Sequence, residues 1–393
     1  MGLSRLETIG GGTADFVLRP HTEPIEIRTQ PSMGIVVPHM SDAVGQTAIE
    51  ASIHIRDVYK TIGSPLPEAM RKKSKKSGDN KATDVLEECL NLAPFGVNMI
   101  ACEGAKEGIK FGKEHEVKVL SGRYGGLNPT LGDIAAVGDP IEKTDEYTRL
   151  GNATSFVGGD ADGNLPFMPD EKTTDVKYMR RVITSSDLRG IDPEMKMKDM
   201  FDVAKRNVGI VNPDQMTVIA LNRPRNYPLI EDAKAAGVNL VLIESGDFIP
   251  GVYAACSKAD MSAPPEKRRV YYSGGAGGVA EGLGAILVAR LLGGESFLSF
   301  EKGDGTPSEQ FPELKALRDW LPGDPKKLFM CIASMGIEPE WFNLPGVKER
   351  INGERRYIVP IINITSDGVT TSELEYRRIY VYSQNRIVLQ KVT

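Results

Sequence analysis

Residues 216–292 alternate short apolar runs with stretches of helical period, joined by brief connections. Met216 to Leu221 reads as a strand, Tyr227 to Ala236 as a helix closed by Gly237, and Val238 to Ile243 as a second strand. Arg269 to Tyr272 reads as a third strand, followed by a glycine loop and a helix over Ala280 to Leu292. This alternation predicts an α/β fold with a mostly parallel sheet, because parallel neighbours need a crossover and a helix supplies it compactly. In such sheets functional groups gather beyond the carboxyl ends of the strands.

Upstream, Val44, Ala48, Ala51, Ile55, Val58 and Ile62 recur at helical spacing behind Ser41 as N-cap, with Gly63 and Pro65 as the stop. Residues 1–35 show no sustained period and read as an extension. Arg71-Lys72-Lys73-Ser74-Lys75-Lys76 reads as a solvated charged loop in preference to a phosphate or nucleic-acid patch, with a second helix beginning near Ala82. Val97 to Ala101 and Ile134 to Val137 suit buried strands.

The charge balance narrows the function. With 48 Lys plus Arg against 53 Asp plus Glu, the net charge is −5, unlike a chain that binds nucleic acid by displacing counterions. Forty per cent apolar and 26 % charged residues over 393 positions give one large or two medium globular domains. Cys89, Cys102, Cys256 and Cys331 are far apart without a CxxC pair, which argues against a zinc scaffold or a disulfide framework. The first residues lack an apolar secretion segment, and the run Ala285 to Ala289 is broken by Arg290 long before membrane-spanning length. A soluble cytoplasmic protein without a membrane partner is expected.

Three stretches can carry chemistry. Gly138-Asp139-Pro140-Ile141-Glu142-Lys143-Thr144 follows an apolar run, and two carboxylates with a hydroxyl at a strand exit suit a hard divalent cation and a water held for attack. The plainer alternative is a turn at Asp139-Pro140 with Glu142 pairing to Lys143. Ser273 to Gly282 holds glycines that let backbone N–H groups approach a phosphate, and Gly275 to Ala280 satisfies a GxGxxA dinucleotide pattern unusually late in the chain. Arg223-Pro224-Arg225 ends a strand with two guanidinium groups, suited to a phosphate or carboxylate or, equally, to surface ion pairs.

Together with Gly78-Asp79-Asn80-Lys81-Ala82-Thr83-Asp84, Glu103-Gly104, Tyr178-Met179-Arg180-Arg181 and Gly246-Asp247, these stretches resemble the class II fructose-1,6-bisphosphatases in family order. That family of metal-dependent sugar phosphatases includes bifunctional fructose/sedoheptulose bisphosphatases. The resemblance runs from about Ser41 to the low 300s, with a fainter echo near Cys331 to Pro339. It implies a layered αβαβα sandwich of the lithium-sensitive phosphatase type, with an extension over 1–35, a metal-binding part over 36–205 and a substrate-binding part over 206–393 that carries the last metal ligand. It further implies that Asp84, Glu103, Asp139, Glu142 and Glu281 hold Mg²⁺ or Mn²⁺ and that Thr144 orients the attacking water. Tyr178, Arg223 and Arg225 would grip a second phosphate and Asp247 the sugar hydroxyls; Gly277, Gly278 and Lys81 are further candidate substrate contacts, as is Lys143, whose ammonium could reach the phosphate, compete with a metal or point to water. The implied partner is a small phosphorylated sugar, and the implied assembly a homo-oligomer, dimer or tetramer.

The physical chemistry agrees with that division of labour. Phosphate monoesters hydrolyse extremely slowly unaided, and carboxylate-held cations neutralise phosphoryl oxygens and activate water. The departures are equally specific. Lys143 replaces a glycine of the family's DPIEGT stretch, Ala105 a glutamate, Ser245 an aspartate and Ala280 a proline, while residues 71–76 and 160–174 read as insertions. One lost carboxylate and one gained cation shift the local charge by about two units, weakening metal binding or favouring a more anionic substrate. The expectation is a Mg²⁺- or Mn²⁺-dependent phosphatase acting on a phosphorylated sugar, such as fructose 1,6-bisphosphate. Its alternatives are the same fold turned to another sugar phosphate or nucleotide sugar, and a phosphosugar-binding protein with little catalysis. A nicotinamide oxidoreductase ranks last.

Overall fold

A computed structural model describes residues 28–102, 122–128, 130–165, 174–192, 194–311, 315–316, 324–336, 341–342, 345–352, 354–381 and 386–392. Helices α1 (Met33–Ile62) and α2 (Glu68–Asn91) are followed by strands β1 (Gly96–Cys102), β2 (Gly122–Gly125) and β3 (Asp133–Glu142), the one-turn α3 (Thr144–Tyr147), β4 (Thr154–Asp160) and β5 (Tyr178–Thr184). Then come α4 (Met197–Val208), β6 (Met216–Leu221), α5 (Tyr227–Ala236), β7 (Asn239–Ile243), α6 (Phe248–Cys256), β8 (Val270–Gly277), α7 (Val279–Leu291) and β9 (Ser296–Glu301). The described chain ends with β10 (Lys315–Ala316), β11 (Leu328–Ser334), β12 (Lys348–Asn352), β13 (Glu354–Thr365), β14 (Gly368–Val381) and β15 (Arg386–Lys391).

Nine strands form one sheet, ordered β15-β14-β13-β11-β4-β3-β1-β2 with β12 beside β13, and six form a second, ordered β10-β9-β5-β8-β6-β7. Both are mixed, which corrects the expected mostly parallel sheet. β6 runs parallel to β7 and β8, as the local alternation predicts, and β1 parallel to β3. The strands that arrive from far away in sequence, β5, β9, β11 and β13, pair antiparallel with their neighbours.

Apolar residues on both faces of the strands stack these sheets into layers. In β3, Ile134 and Ala136 pack with α1 and α2, whereas Ala135 and Val137 face α6 and α7, the period-two alternation of a strand buried on both sides. β11 divides the same way, with Phe329, Cys331 and Ala333 on the first side and Leu328, Met330 and Ile332 on the second. Met179, Ile183, Leu298 and Phe300 of the smaller sheet close the other side of the α6/α7 layer. Met197, Met200 and Val203 of α4 and Ala233 of α5 cover the outer face of that sheet. The result is five layers, α1/α2, nine strands, α6/α7, six strands and α4/α5.

Several local expectations change. α1 begins at Met33, so Ser41 is not an N-cap. It is buried within the helix and donates to the Val37 carbonyl at 2.8 Å and to Asn363 Oδ1 at 2.7 Å. Pro38 is tolerated because Val36 and Met40, both fully buried, anchor this turn. The basic run lies in α2, not in a loop. Ser74, Gly78 and Ala82, four residues apart, form a buried seam of small side chains, which leaves Lys72 and Lys73 to solvent. The glycine loop proves to be strand as far as Gly277, and Asp139-Pro140 is strand, not turn. Residues 1–27 lie outside the described residues.

Phe248 at the start of α6 stacks on Phe156 of β4, with ring centroids 3.8 Å apart and both side chains fully buried, tying the middle layer to the larger sheet. Replacing Phe248 with Ala should lower unfolding stability by about 3–5 kcal/mol, read as a fall in the urea midpoint. A shift within error would show that this contact does not hold the layers together.

Candidate functional site

Several of the expected residues lie at the exits of β3, β7 and β8. On β3, Asp139 pairs in register with Phe156 and Glu142 with Thr154. Residues three apart on a regular strand point to opposite faces. Here two residues, Pro140 and Ile141, oppose one, Ser155, and this bulge returns both carboxylates to one face. Asp139 is 3 % and Glu142 2 % exposed, and Asp139 Oδ1 accepts the Ile141 N–H at 2.9 Å, which braces the bulge.

Lys143 follows at φ 64°, a left-handed conformation uncommon for a side chain with Cβ, and turns the chain into α3. Thr144 opens that turn, and Tyr147 fixes it. The Tyr147 ring lies over Gly78 of α2, its hydroxyl donates to the Ala51 carbonyl at 3.1 Å, and burial pushes its ionisation far up. The Lys143 methylenes cross Gly246, where a Cβ would overlap them, so the β3 exit and the turn between β7 and α6 touch through this pair.

Tyr178 and Arg225 come together. The Arg225 guanidinium carbon sits 4.2 Å from the Tyr178 ring centroid, its Nε donates to the Ala276 carbonyl at 2.9 Å, and Arg180 donates to the Arg225 carbonyl at 3.3 Å. Arg180 also pairs with the buried Glu301. Asn226, fully buried, seats the turn on β8 by accepting the Ala276 N–H at 2.7 Å. Arg223 points elsewhere, pairing with the Glu244 carboxylate at 3.5 Å and donating to the Glu244 carbonyl. Asp247 is 8 % exposed and pairs with Arg181. Glu281 stands in the first turn of α7, its carboxylate folded back over Gly278.

Asp84 and Lys81 are exposed on α2, and Glu103 lies outside the described residues. Among the described residues, no three His, Cys, Asp or Glu side chains stand close enough to hold one ion. The donor chemistry nevertheless fits a hard cation, since all the expected ligands are carboxylates and the two deepest share a face. Burial pushes the thiols of Cys89, Cys256 and Cys331 up to about 12. Sequence reasoning did not assign a role to Arg180, Arg181 or Asn226. The signal for the arginines was the period-two alternation of β5, which sends Arg180 toward Tyr178 and Arg181 to the opposite face.

Residues 67–303 match the family model for bacterial fructose-1,6-bisphosphatase, glpX-encoded. The class 2 fructose-1,6-bisphosphatase of Haemophilus influenzae is 26 % identical over 223 residues, covering 56 % of this chain and 60 % of the relative. The class 2 D-fructose 1,6-bisphosphatase/sedoheptulose 1,7-bisphosphatase of Synechocystis is 24 % identical over 235 residues, covering 57 % of this chain and 62 % of the relative. The aligned part of this chain thus spans less than two thirds of each relative, and β11 to β15 lie beyond the matched segment.

Lys143→Gly and Lys143→Ala both remove the side chain, and only Gly relieves the backbone at φ 64°. The Gly variant should therefore be the more stable by about 1–2 kcal/mol in urea unfolding. Equal stabilities would mean that the left-handed turn is not populated in solution.

Proposed function

The chain belongs to the family of glpX-encoded bacterial fructose-1,6-bisphosphatases, and from that premise we propose that it hydrolyses a phosphate monoester of a phosphorylated sugar, foremost a bisphosphate such as fructose 1,6-bisphosphate. The observation that carries this reading is the Arg225–Tyr178 clamp, an anion grip in a chain that also buries the Asp139 and Glu142 carboxylates on one face of β3. Asp139 and Glu142, with Glu281, Asp84 and Glu103, would hold Mg²⁺ or Mn²⁺. When bound, such an ion neutralises phosphoryl oxygens, lowers the pKa of water and stabilises the leaving alkoxide.

The chain's own residues do the rest. Thr144, fixed by the Tyr147 anchor, orients the attacking water with its hydroxyl. Arg225 holds the remote phosphate, Asp247 accepts a hydrogen bond from a sugar hydroxyl, and the Gly277–Gly278 turn, lacking side chains, leaves the room that Asp247, Arg181 and Glu281 occupy beside the sugar. Lys143 and Lys81 add positive charge for the phosphates, and Arg223 joins Arg225 if Glu244 releases it. The five-layer order supports grouping this fold with the lithium-sensitive phosphatases, with a metal-binding part before about residue 205 and after it a substrate-binding part that carries the last metal ligand, Glu281. A cytoplasmic homo-oligomer completes the proposal. Among the described residues no helix is long and apolar enough to cross a membrane.

Phosphate release should depend on Mg²⁺ or Mn²⁺, stop on chelation, and fall at least ~100-fold in Asp139→Asn and Glu281→Gln, the scale of losing a transition-state charge contact. A panel of sugar mono- and bisphosphates assayed with and without each metal measures this. Turnover that survives exhaustive chelation, or persists in both variants, would remove the mechanism. Activity confined to a monophosphate or a nucleotide sugar would redirect the substrate.

A further inference from the structure

Arg181 sits mid-strand on β5 with its side chain 2 % exposed, against 11 % for the side chain of its partner Asp247. The guanidinium engages Asp247 Oδ2 and reaches the Gly278 carbonyl at 3.5 Å. It also fills the space over Gly277, where a Cβ would meet its two terminal nitrogens and the Asp247 carboxylate together. On its other side it lies against Gly282 in the first turns of α7, where a Cβ would stand 3.1 Å from Nη1. One buried fork thus touches the start of α6, the end of β8 and the turn that carries Glu281. A guanidinium holds several acceptors in fixed geometry at once, which a point-charge ammonium cannot do.

We propose that Arg181 is a positioning residue that locks Asp247 to the Gly277–Gly278 turn, so that the sugar-contacting carboxylate and Glu281 are held as one rigid unit. The proposal rests on the phosphatase reading of the same site. Pairing with Asp247 cancels the arginine's charge beside the carboxylates, so its contribution there is shape. With Oδ2 engaged, Oδ1 is the oxygen that faces a ligand hydroxyl. β5 places the residue where neither the clamp on its opposite face nor the β3 carboxylates can substitute for it.

The test begins with wild-type phosphate release from fructose 1,6-bisphosphate and Mn²⁺, then compares Arg181→Met, Arg181→Lys, Asp247→Asn and the Arg181→Met/Asp247→Asn double variant. Arg181→Met should raise KM at least ~10-fold and lower kcat per folded molecule, and the double variant should be no worse than Asp247→Asn within about twofold, because the two side chains act through one contact. Arg181→Lys should recover only part of the loss, and decides the matter alone if the Met variant does not fold. KM and kcat within about twofold of wild type would overturn the proposal whatever happens to Tm, since a merely structural role moves only stability. If the wild type releases no phosphate, the phosphatase reading falls separately. Calorimetry with fructose 6-phosphate then decides, a tenfold weaker Arg181→Met supporting the proposal, and unchanged affinity, or no binding by the wild type, overturning it.

Discussion

Helix α7 is apolar on nearly every side, with Val279, Leu283, Ile286, Leu287 and Leu291 among its buried residues, and it runs between two sheets that pack on it from opposite directions. A helix of this kind has one place to go, the interior, and both sheets are positioned by how they close over it. Its N-terminus therefore emerges where strand exits of both sheets meet. Glu281 stands in its first turn with its carboxylate over Gly278, polar at the point where the helix leaves the core. The candidate site is a by-product of how the middle layer is buried.

Around that seam the chain accepts local strain. Lys143 adopts a left-handed backbone, β3 carries a bulge between its two acids, and Arg181 is a fully buried cation. The left-handed residue alone is unfavourable by about 1–2 kcal/mol, and all three persist because the surrounding packing fixes them. Tyr147, wedged between α1 and α2, and Phe248, stacked on Phe156, supply that packing on either side of the site. Stability invested in the core thus holds the carboxylates of β3 and the clamp on β5 in a common frame.

The sequence made the β6–α5–β7 unit, the strand β1 and the apolar stripe of α1 legible, because each has a strong period and clear stops. It hid what depends on distant partners. The run at 71–76 reads as loop by charge, yet Ser74, Gly78 and Ala82 make it helix through close approach to a neighbour, a signal that apolar periodicity does not register. Gly274 to Gly277 read as loop by composition, yet pair with β5 because the side chains of Tyr272, Asn226 and Arg181 fill the room their missing side chains leave. The antiparallel strands β5, β9 and β11 carry no short-range mark of direction. In the site, the order of motifs identified Asp139, Glu142, Tyr178 and Arg225 as neighbours in function. Asn226, which seats the Arg225 turn on β8, belongs to no motif, and Arg181 lies within the Tyr178–Arg181 stretch but its contact with Asp247 is visible only in the fold.

The family match covers residues 67–303 and leaves β11 to β15, five of the nine strands of the larger sheet, outside it. Strands β3, β5, β7 and β8, which carry or lead into the candidate residues, lie within it, and β11 and β13 share a hydrophobic core with β3. Anomalous diffraction from crystals soaked in Mn²⁺ tests the hard-metal seam most directly. A peak beside Asp139 and Glu142 is predicted, and an ion held away from Asp84, Asp139, Glu142 and Glu281 in protein that turns over substrate would contradict it.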